Sequence, residues 1–113
     1  MKITVCVHDP NDEHAPRFVS AALAAGHEIP LVFFYHDGVR TAETGSSPAL
    51  TRMWQALQEQ HGLELAICIG AATRRGLASE KDRSRVDGHF QVVGLGQLIG
   101  ALAESDRLIT FSG

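Results

Sequence analysis

The chain has 113 residues, of which 44% are hydrophobic and 20% charged, and its net charge is −3 with neutral histidines. This length suits one domain, predicted over residues 1–113, and the mild acidity excludes a basic surface for direct nucleic-acid binding. No apolar run approaches the roughly 20 residues of a membrane span. Because the chain opens on a strand pattern and not on a secretion signal, we expect a cytoplasmic protein.

The first part of the chain alternates strand and helix patterns. Residues 2–8 are rich in β-branched side chains and predict a first strand. Pro16 suits the first turn of a helix, which apolar residues at helical spacing continue as far as Gly26. Residues 29–35 are almost wholly apolar and predict a buried second strand, which ends at the His-Asp-Gly of residues 36–38.

A loop and an amphipathic helix follow. The loop covers residues 41–47, and Ser47 is predicted as the N-cap of a helix with Pro48 at its first position. His61 and Gly62 close this helix. Its apolar face is predicted from the spacing of Leu50, Met53, Trp54 and Leu57.

The third strand is predicted over residues 63–69. The small residues 70–72 allow a tight turn into a short helix that carries residues 73–75. Residues 79–88 are polar and charged, which is typical of a surface loop or a frayed helix.

The remaining segments complete an α/β pattern. Residues 90–93 predict a fourth strand, residues 94–96 a glycine turn, residues 97–104 a helix and residues 108–111 a last strand. Near-continuously apolar strands that alternate with helices are typical of a sheet covered on both faces. We therefore predict a parallel, doubly wound, flavodoxin-like sheet of about five strands with helices on both faces.

Cys68 is the foremost candidate for chemistry. It lies near the carboxyl end of the predicted third strand, just before a helix, where backbone N–H groups and the helix dipole favour the reactive thiolate. Arg74 and Arg75 add positive charge nearby. A nucleophilic thiol without a resolving partner suits covalent carriage of a group, whereas an inert buried cysteine is the alternative that position leaves open.

Other polar residues are predicted at the same sheet edge. His36 and Asp37 end the second strand, and His36 is interpreted either as a base that supports Cys68 or as a solvated turn residue. His8 and Asp9 end the first strand with the same ambiguity. Cys6 lies between valines in mid-strand and is interpreted as part of the core.

Neither a metal nor an organic cofactor is predicted. Cys6 and Cys68 form no CxxC pair and should be separate thiols in a reducing compartment. The Gly-Leu-Gly of residues 94–96 lacks the third glycine of a dinucleotide fingerprint, because Ile99 stands there. No trusted metal-ligand spacing relates His14, His27, His61 and His89.

Several segments together resemble the DsrE/TusD family of sulfur-relay proteins. They are LVFFYHDGV (31–39), WQALQEQHG (54–62), LAICIGAATRRG (65–76), GLGQL (94–98) and SDRLITF (105–111). They cover nearly the whole chain in the expected order. Residues 9–17 and the stretch between Gly76 and Phe90 depart from the usual TusD pattern, which bears on partner identity more than on family.

The resemblance implies a function. The cysteine that matches Cys68 accepts sulfur as a persulfide, without a cofactor, and passes it on. TusD-like subunits assemble with TusB-like and TusC-like subunits, receive sulfur from a TusA-like donor and hand it to a TusE-like acceptor, toward 2-thiouridine at the tRNA wobble position. A homo-oligomer, a DsrE-like role in sulfur oxidation and a non-catalytic assembly subunit are the alternatives, and a small-ligand or nucleotide-binding module is a further one.

Overall fold

A computed structural model describes residues 1–45 and 48–112. Five parallel strands form one sheet in the order β4-β3-β2-β1-β5. In chain order the strands are β1 (Ile3–Val7), β2 (Val32–Phe34), β3 (Leu65–Cys68), β4 (Phe90–Val93) and β5 (Arg107–Phe111). The helices are α1 (His14–Ala24), a 3₁₀ helix (His36–Ala42), α2 (Ala49–His61), α3 (Ile69–Arg74) and α4 (Leu95–Glu104). The predicted fold class is confirmed.

The hydrophobic core lies in two layers, one on each face of the sheet. The larger layer joins alternate strand residues to α1, α2 and α3, and Trp54 of α2 packs edge-on against Phe34 with ring centroids 5.2 Å apart. The smaller layer joins Cys6, Leu31, Phe33 and Ala66 to Leu98 and Ala101 of α4. Because both faces are covered, every residue of β1 is buried, which explains the continuous apolar run in the sequence.

The order of the strands in the sheet explains why α4 packs on the opposite face from α1, α2 and α3. From β1 to β4 each new strand is added on the same side of the last, and the connections carry α1, α2 and α3 over one face. The step from β4 to β5 returns across the sheet to the opposite edge. Since crossovers between parallel strands are right-handed, this reversed step must cover the other face, where α4 packs.

The predicted boundaries agree with the observed ones in part. The first helix begins at His14 and has Pro16 in its first turn, as predicted; the Asp12 carboxylate accepts hydrogen bonds from the backbone N–H groups of His14 (2.9 Å) and Ala15 (3.3 Å) at its start. The second strand is confined to Val32–Phe34, since Pro30 has no N–H for a ladder.

Helices occupy several residues that the sequence predicted as turns or loops. The 3₁₀ helix (His36–Ala42) begins at the His-Asp-Gly that was predicted to end the second strand and runs into the predicted loop of residues 41–47, and α3 follows β3 with no intervening turn. In the same way α4 begins at Leu95, inside the predicted glycine turn. For α2, the predicted cap Ser47 lies outside the described residues, and Pro48 is the N-cap and not the first helical residue.

Residues 75–89 connect α3 to β4 and contain neither helix nor strand, as the polar composition of residues 79–88 indicated. Backbone hydrogen bonds fasten this segment to the end of the 3₁₀ helix: Thr44 N–H donates to Arg85 O (2.8 Å) and Asp87 N–H donates to Ala42 O (2.7 Å). In residues 1–45 and 48–112, no helix combines the length and the apolar character that crossing a bilayer requires.

Gly38 allows the 3₁₀ helix to pack directly on the carboxyl end of β1. A Cβ atom at this position would lie 2.2 Å from the carbonyl oxygen of Val7 and 3.0 Å from its carbon, both of them backbone atoms. The first residue of the 3₁₀ helix, His36, adopts a left-handed φ of 51°, which turns the chain sharply out of β2. This turn brings the 3₁₀ helix against the strand ends.

His89 fastens the start of β4 to α2. Its Nδ1 lies 2.6 Å from the Asp87 carboxylate and its Nε2 lies 2.6 Å from the Glu59 carboxylate of α2, while Gln55 also donates to Asp87 (3.1 Å). The hydrogen bonds to Glu59 and Asp87 raise the pKa of His89 above its ordinary value. The protonated ring donates to both carboxylates, so this bridge is strongest when His89 is charged.

The Gly38→Ala substitution is expected to lower the free energy of unfolding by about 2–3 kcal/mol, because the added methyl group overlaps backbone that cannot move aside. Urea denaturation measures this loss. Gly88→Ala is the matched control, since a Cβ there meets open space and should change stability by about 0.5 kcal/mol or less. Equal stability of the two variants would contradict the packing argument.

The His89 bridge makes stability depend on pH. Because the folded pKa of His89 is raised, its stabilisation is complete below the unfolded pKa of about 6.5 and is lost as the pH rises through the folded pKa. His89→Gln should therefore reduce the free energy of unfolding by about 1–2 kcal/mol near pH 6 and by less near pH 9. A difference that stayed constant across this range would refute the charged bridge.

Candidate functional site

Cys68 is the last residue of β3 and the N-cap residue of α3. Its backbone is still extended (φ −71°, ψ 122°), so the chain passes from strand to helix at this residue without a loop. The side chain is half-buried and packs against both layers of the core. The thiol therefore lies where the sheet meets solvent at its carboxyl edge, as the sequence predicted.

The strand register identifies the neighbours of Cys68. Phe33 of β2 pairs with Ala66 of β3, so Tyr35, two residues beyond Phe33, lies beside Cys68 on the same face. On the other side Val93 of β4 is the direct partner of Cys68. The pairing of Cys6 with Phe33 likewise puts His8 beside Tyr35. We call His8, Tyr35, Cys68 and Val93 the carboxyl-edge row.

Aromatic rings pack together at one end of this row. The centroid of the Tyr35 ring lies 3.9 Å from that of His8 and 4.8 Å from that of His36, and the two histidine rings are 5.2 Å apart. His36 is exposed and covers Tyr35 and His8. His36 thus lies at the same sheet edge as Cys68, as predicted, and its ring packs against Tyr35 and His8.

His8 is held in its neutral form. Burial lowers its pKa below the ordinary value, and the nearby His36 lowers it further. Within the described part of the chain, its buried Nε2 atom has no hydrogen-bond partner. At neutral pH the ring of His8 therefore packs against Tyr35 as an uncharged aromatic group.

The two arginines that were predicted to support Cys68 have different surroundings. Arg75 donates to the Asp37 carboxylate from Nε (2.8 Å) and to Ala71 O from Nη1 (3.1 Å). This hydrogen bond and charge lower the pKa of Asp37. Arg75 thus joins α3 to the 3₁₀ helix, and its charge is already matched by Asp37.

Arg74 lies near the thiol. A Cβ atom on Gly70 would lie 3.5 Å from Nη1 of Arg74 and 3.9 Å from Sγ of Cys68, so the guanidinium and the sulfur flank the same glycine. Among residues 1–45 and 48–112, no carboxylate forms an ion pair with Arg74. Of the two arginines, Arg74 is the one placed to attract an anion toward Cys68.

Cys6 is not able to act as a resolving thiol. It is buried in the smaller core layer, and this burial raises the pKa of its thiol to about 11. Its strand, β1, is separated from β3 by β2, so the two cysteine Cα atoms are at least about 9–10 Å apart. A disulfide needs Cα atoms within about 7 Å. The interpretation of Cys6 as part of the core agrees with its burial.

The site thus offers one reachable thiol, a neighbouring cation and largely apolar side walls. Among the residues that the structure describes, no group of three or more histidine, cysteine, aspartate or glutamate side chains is arranged to hold a metal ion. Such a site is suited to nucleophilic attack by sulfur and to covalent carriage of a group. Sequence reasoning did not single out Tyr35, because its role depends on a register across two strands.

Comparisons with known proteins agree with this picture. A model of the DsrE/DsrF-like family matches residues 1–111. Sulfurtransferase TusD of Enterobacter sp. (strain 638) is 43% identical over 109 residues, covering 86% of this chain and 85% of its own. DsrE of Allochromatium vinosum is 39% identical over 116 residues, covering 92% and 88%. The crystal structure of YchN from E. coli shares the fold, with a TM-score of 0.78 over 97% of both chains at 16% identity.

Arg74 is expected to draw anionic reagents to Cys68. In Arg74→Gln, alkylation of Cys68 by iodoacetate should slow by about 2–5-fold relative to alkylation by neutral iodoacetamide, because a nearby positive charge is lost. Arg107→Gln, on the opposite edge strand, is the control and should leave the ratio of the two rates unchanged. If both variants give the wild-type ratio, Arg74 has no electrostatic role at the thiol.

Proposed function

This chain belongs to the DsrE/DsrF-like family, and from that premise we propose that it is a sulfurtransferase subunit that carries sulfur as a persulfide on Cys68. The observation that carries the proposal is the placement of Cys68, a half-buried thiol at the carboxyl edge of β3 with no second thiol within reach. The names of the relatives support a role in sulfur relay.

The transfer itself is an exchange between sulfur atoms. The Cys68 thiolate attacks the outer sulfur of a persulfide on a donor protein, a new S–S bond forms on Cys68, and the donor's S–S bond breaks. The donor leaves as a thiolate, so one persulfide replaces another and no external oxidant or reductant is consumed. In the second step an acceptor thiolate attacks the outer sulfur on Cys68 in the same manner.

The absence of a resolving thiol suits this carrier role. A second cysteine within reach would attack the inner sulfur of the Cys68 persulfide, which closes a disulfide and expels the outer sulfur as hydrosulfide before an acceptor can take it. Cys6 is too far away and is mostly protonated at neutral pH. The sulfur on Cys68 therefore stays until a thiol arrives from outside.

We further propose that the partners are those of a TusD-like subunit. These are TusB-like and TusC-like subunits in a hetero-oligomer, a TusA-like donor and a TusE-like acceptor, toward 2-thiouridine at the tRNA wobble position, in the cytoplasm. An apolar surface supports assembly: Leu95 and Ile99 of α4 are 60% and 66% exposed, and Leu108 of the edge strand β5 is 48% exposed.

A DsrE-like role in sulfur oxidation is the second candidate. It is favoured by the similarity to DsrE of Allochromatium vinosum, which extends over 92% of this chain. The thiol chemistry at Cys68 is the same in both cases, and the two differ in the donor and acceptor. A non-catalytic assembly subunit would need no reactive thiol at the position of Cys68, and the accessible site counts against it.

The wild-type protein is expected to gain about 32 Da, one sulfur atom, when incubated with a cysteine desulfurase, cysteine and a TusA-like carrier, and a reductant should reverse the gain. Intact-mass spectrometry measures this change. Cys68→Ser should show no gain. Cys6→Ser should gain sulfur as the wild type does, because Cys6 is buried away from the site.

Equal loading of wild type and Cys68→Ser would overturn the assignment of the carrier residue. A wild-type chain that takes up no sulfur, alone or with co-expressed TusB-like and TusC-like subunits, would instead favour the assembly role.

A further inference from the structure

We propose that Tyr35 is a positioning residue for the persulfide, with its ring forming the wall against which the outer sulfur on Cys68 lies. This inference rests on the proposed function, because it concerns the loaded form of Cys68. It adds a residue to the site on a geometric ground: Tyr35 and Val93 flank Cys68 on the two neighbouring strands and on the same face of the sheet.

The strand register sets the distance between the ring and the sulfur. Neighbouring strands lie about 4.8 Å apart, and side chains at paired positions stand side by side. Tyr35 and Cys68 pack against the same buried cluster, which contains Phe33 and Ala66 directly beneath them. The centroids of the Phe33 and Tyr35 rings are 5.9 Å apart, which confirms that both rings lie on this face.

Tyr35 is held firmly in this position. Its N–H donates to Val7 O (3.1 Å), and its carbonyl oxygen accepts from Gly38 N–H (3.0 Å). The rings of His8 and His36 pack on its other side. The neutral form of His8 favours this packing, because an uncharged ring can lie against Tyr35 without a counter-ion.

The chemistry of a persulfide explains what such a wall does. Its outer sulfur is polarisable, and sulfur atoms make favourable contacts with aromatic rings. With Tyr35 on one side and Val93 on the other, the outer sulfur is shielded laterally and remains open only along the sheet edge. A partner protein that presents its thiol along this edge can attack, whereas small nucleophiles meet a more restricted path.

The test uses the full chain loaded chemically with inorganic polysulfide, so that no donor protein is needed. Cyanide removes the outer sulfur as thiocyanate and leaves the Cys68 thiolate, and the release of thiocyanate measures the rate. Tyr35→Leu should discharge about 3–10-fold faster than wild type. Tyr35→Phe should behave as the wild type, because the ring is what matters and the hydroxyl is not.

Two controls separate this effect from a general loosening of the fold. Phe111→Leu removes a ring from β5 that packs on the opposite face, against Phe18, and should not change the rate. His8→Ala removes the ring behind Tyr35 and should accelerate discharge by about 2-fold while Tyr35 remains. If Tyr35→Leu fails to fold, the His8→Ala rate decides the question.

Wild-type rates in Tyr35→Leu, or in His8→Ala when the first variant does not fold, would overturn the inference. An acceleration of discharge in Tyr35→Phe as large as that in Tyr35→Leu would do the same. This failure is distinct from that of the proposed function. Suppose that the wild-type chain takes no sulfur from a carrier protein, while Tyr35→Leu still discharges faster than wild type after polysulfide loading. That result would refute the relay role and still support the positioning role of Tyr35.

Discussion

The pairing of β2, β3 and β4 in parallel register is the constraint on which the rest of the site depends. Parallel pairing brings the carboxyl ends of the strands to one edge, and the register decides which side chains become neighbours there. Tyr35, Cys68 and Val93 lie in one row, although 57 residues lie between Tyr35 and Val93 in the sequence. A slip of one residue in β2 would turn Tyr35 to the opposite face and leave Cys68 with a different neighbour.

Two charged bridges hold the segments around this row. Arg75 and Asp37 join α3 to the 3₁₀ helix, and His89 joins the start of β4 to α2 through Glu59 and Asp87. Neither bridge includes Cys68 itself; each joins segments that surround the carboxyl-edge row. Arg74 has a different position, beside Gly70 and the thiol. The two adjacent arginines therefore have different surroundings: Arg75 is paired with a carboxylate, and Arg74 lies beside the glycine that Cys68 also approaches.

The parallel fold and the position of Cys68 follow from local patterns in the sequence. Apolar runs such as residues 29–35 mark strands buried on both faces, and Cys68 ends one of them. Other features depend on contacts between distant segments. The pairing of Arg75 with Asp37 and the approach of Gly38 to Val7 involve elements that meet only in the folded chain. The place of Tyr35 beside Cys68 requires a register that no single segment encodes.

The distance between the two cysteines has a kinetic consequence for the proposed carrier. Because Cys6 lies in another strand and is buried, a loaded chain contains no internal route by which its sulfur can leave. Each release is then a collision between two molecules, and its rate depends on the concentration of the acceptor. The quantity of sulfur that passes through this step is accordingly governed by the supply of acceptor thiols, and a cell deprived of acceptor would accumulate the chain in its loaded form.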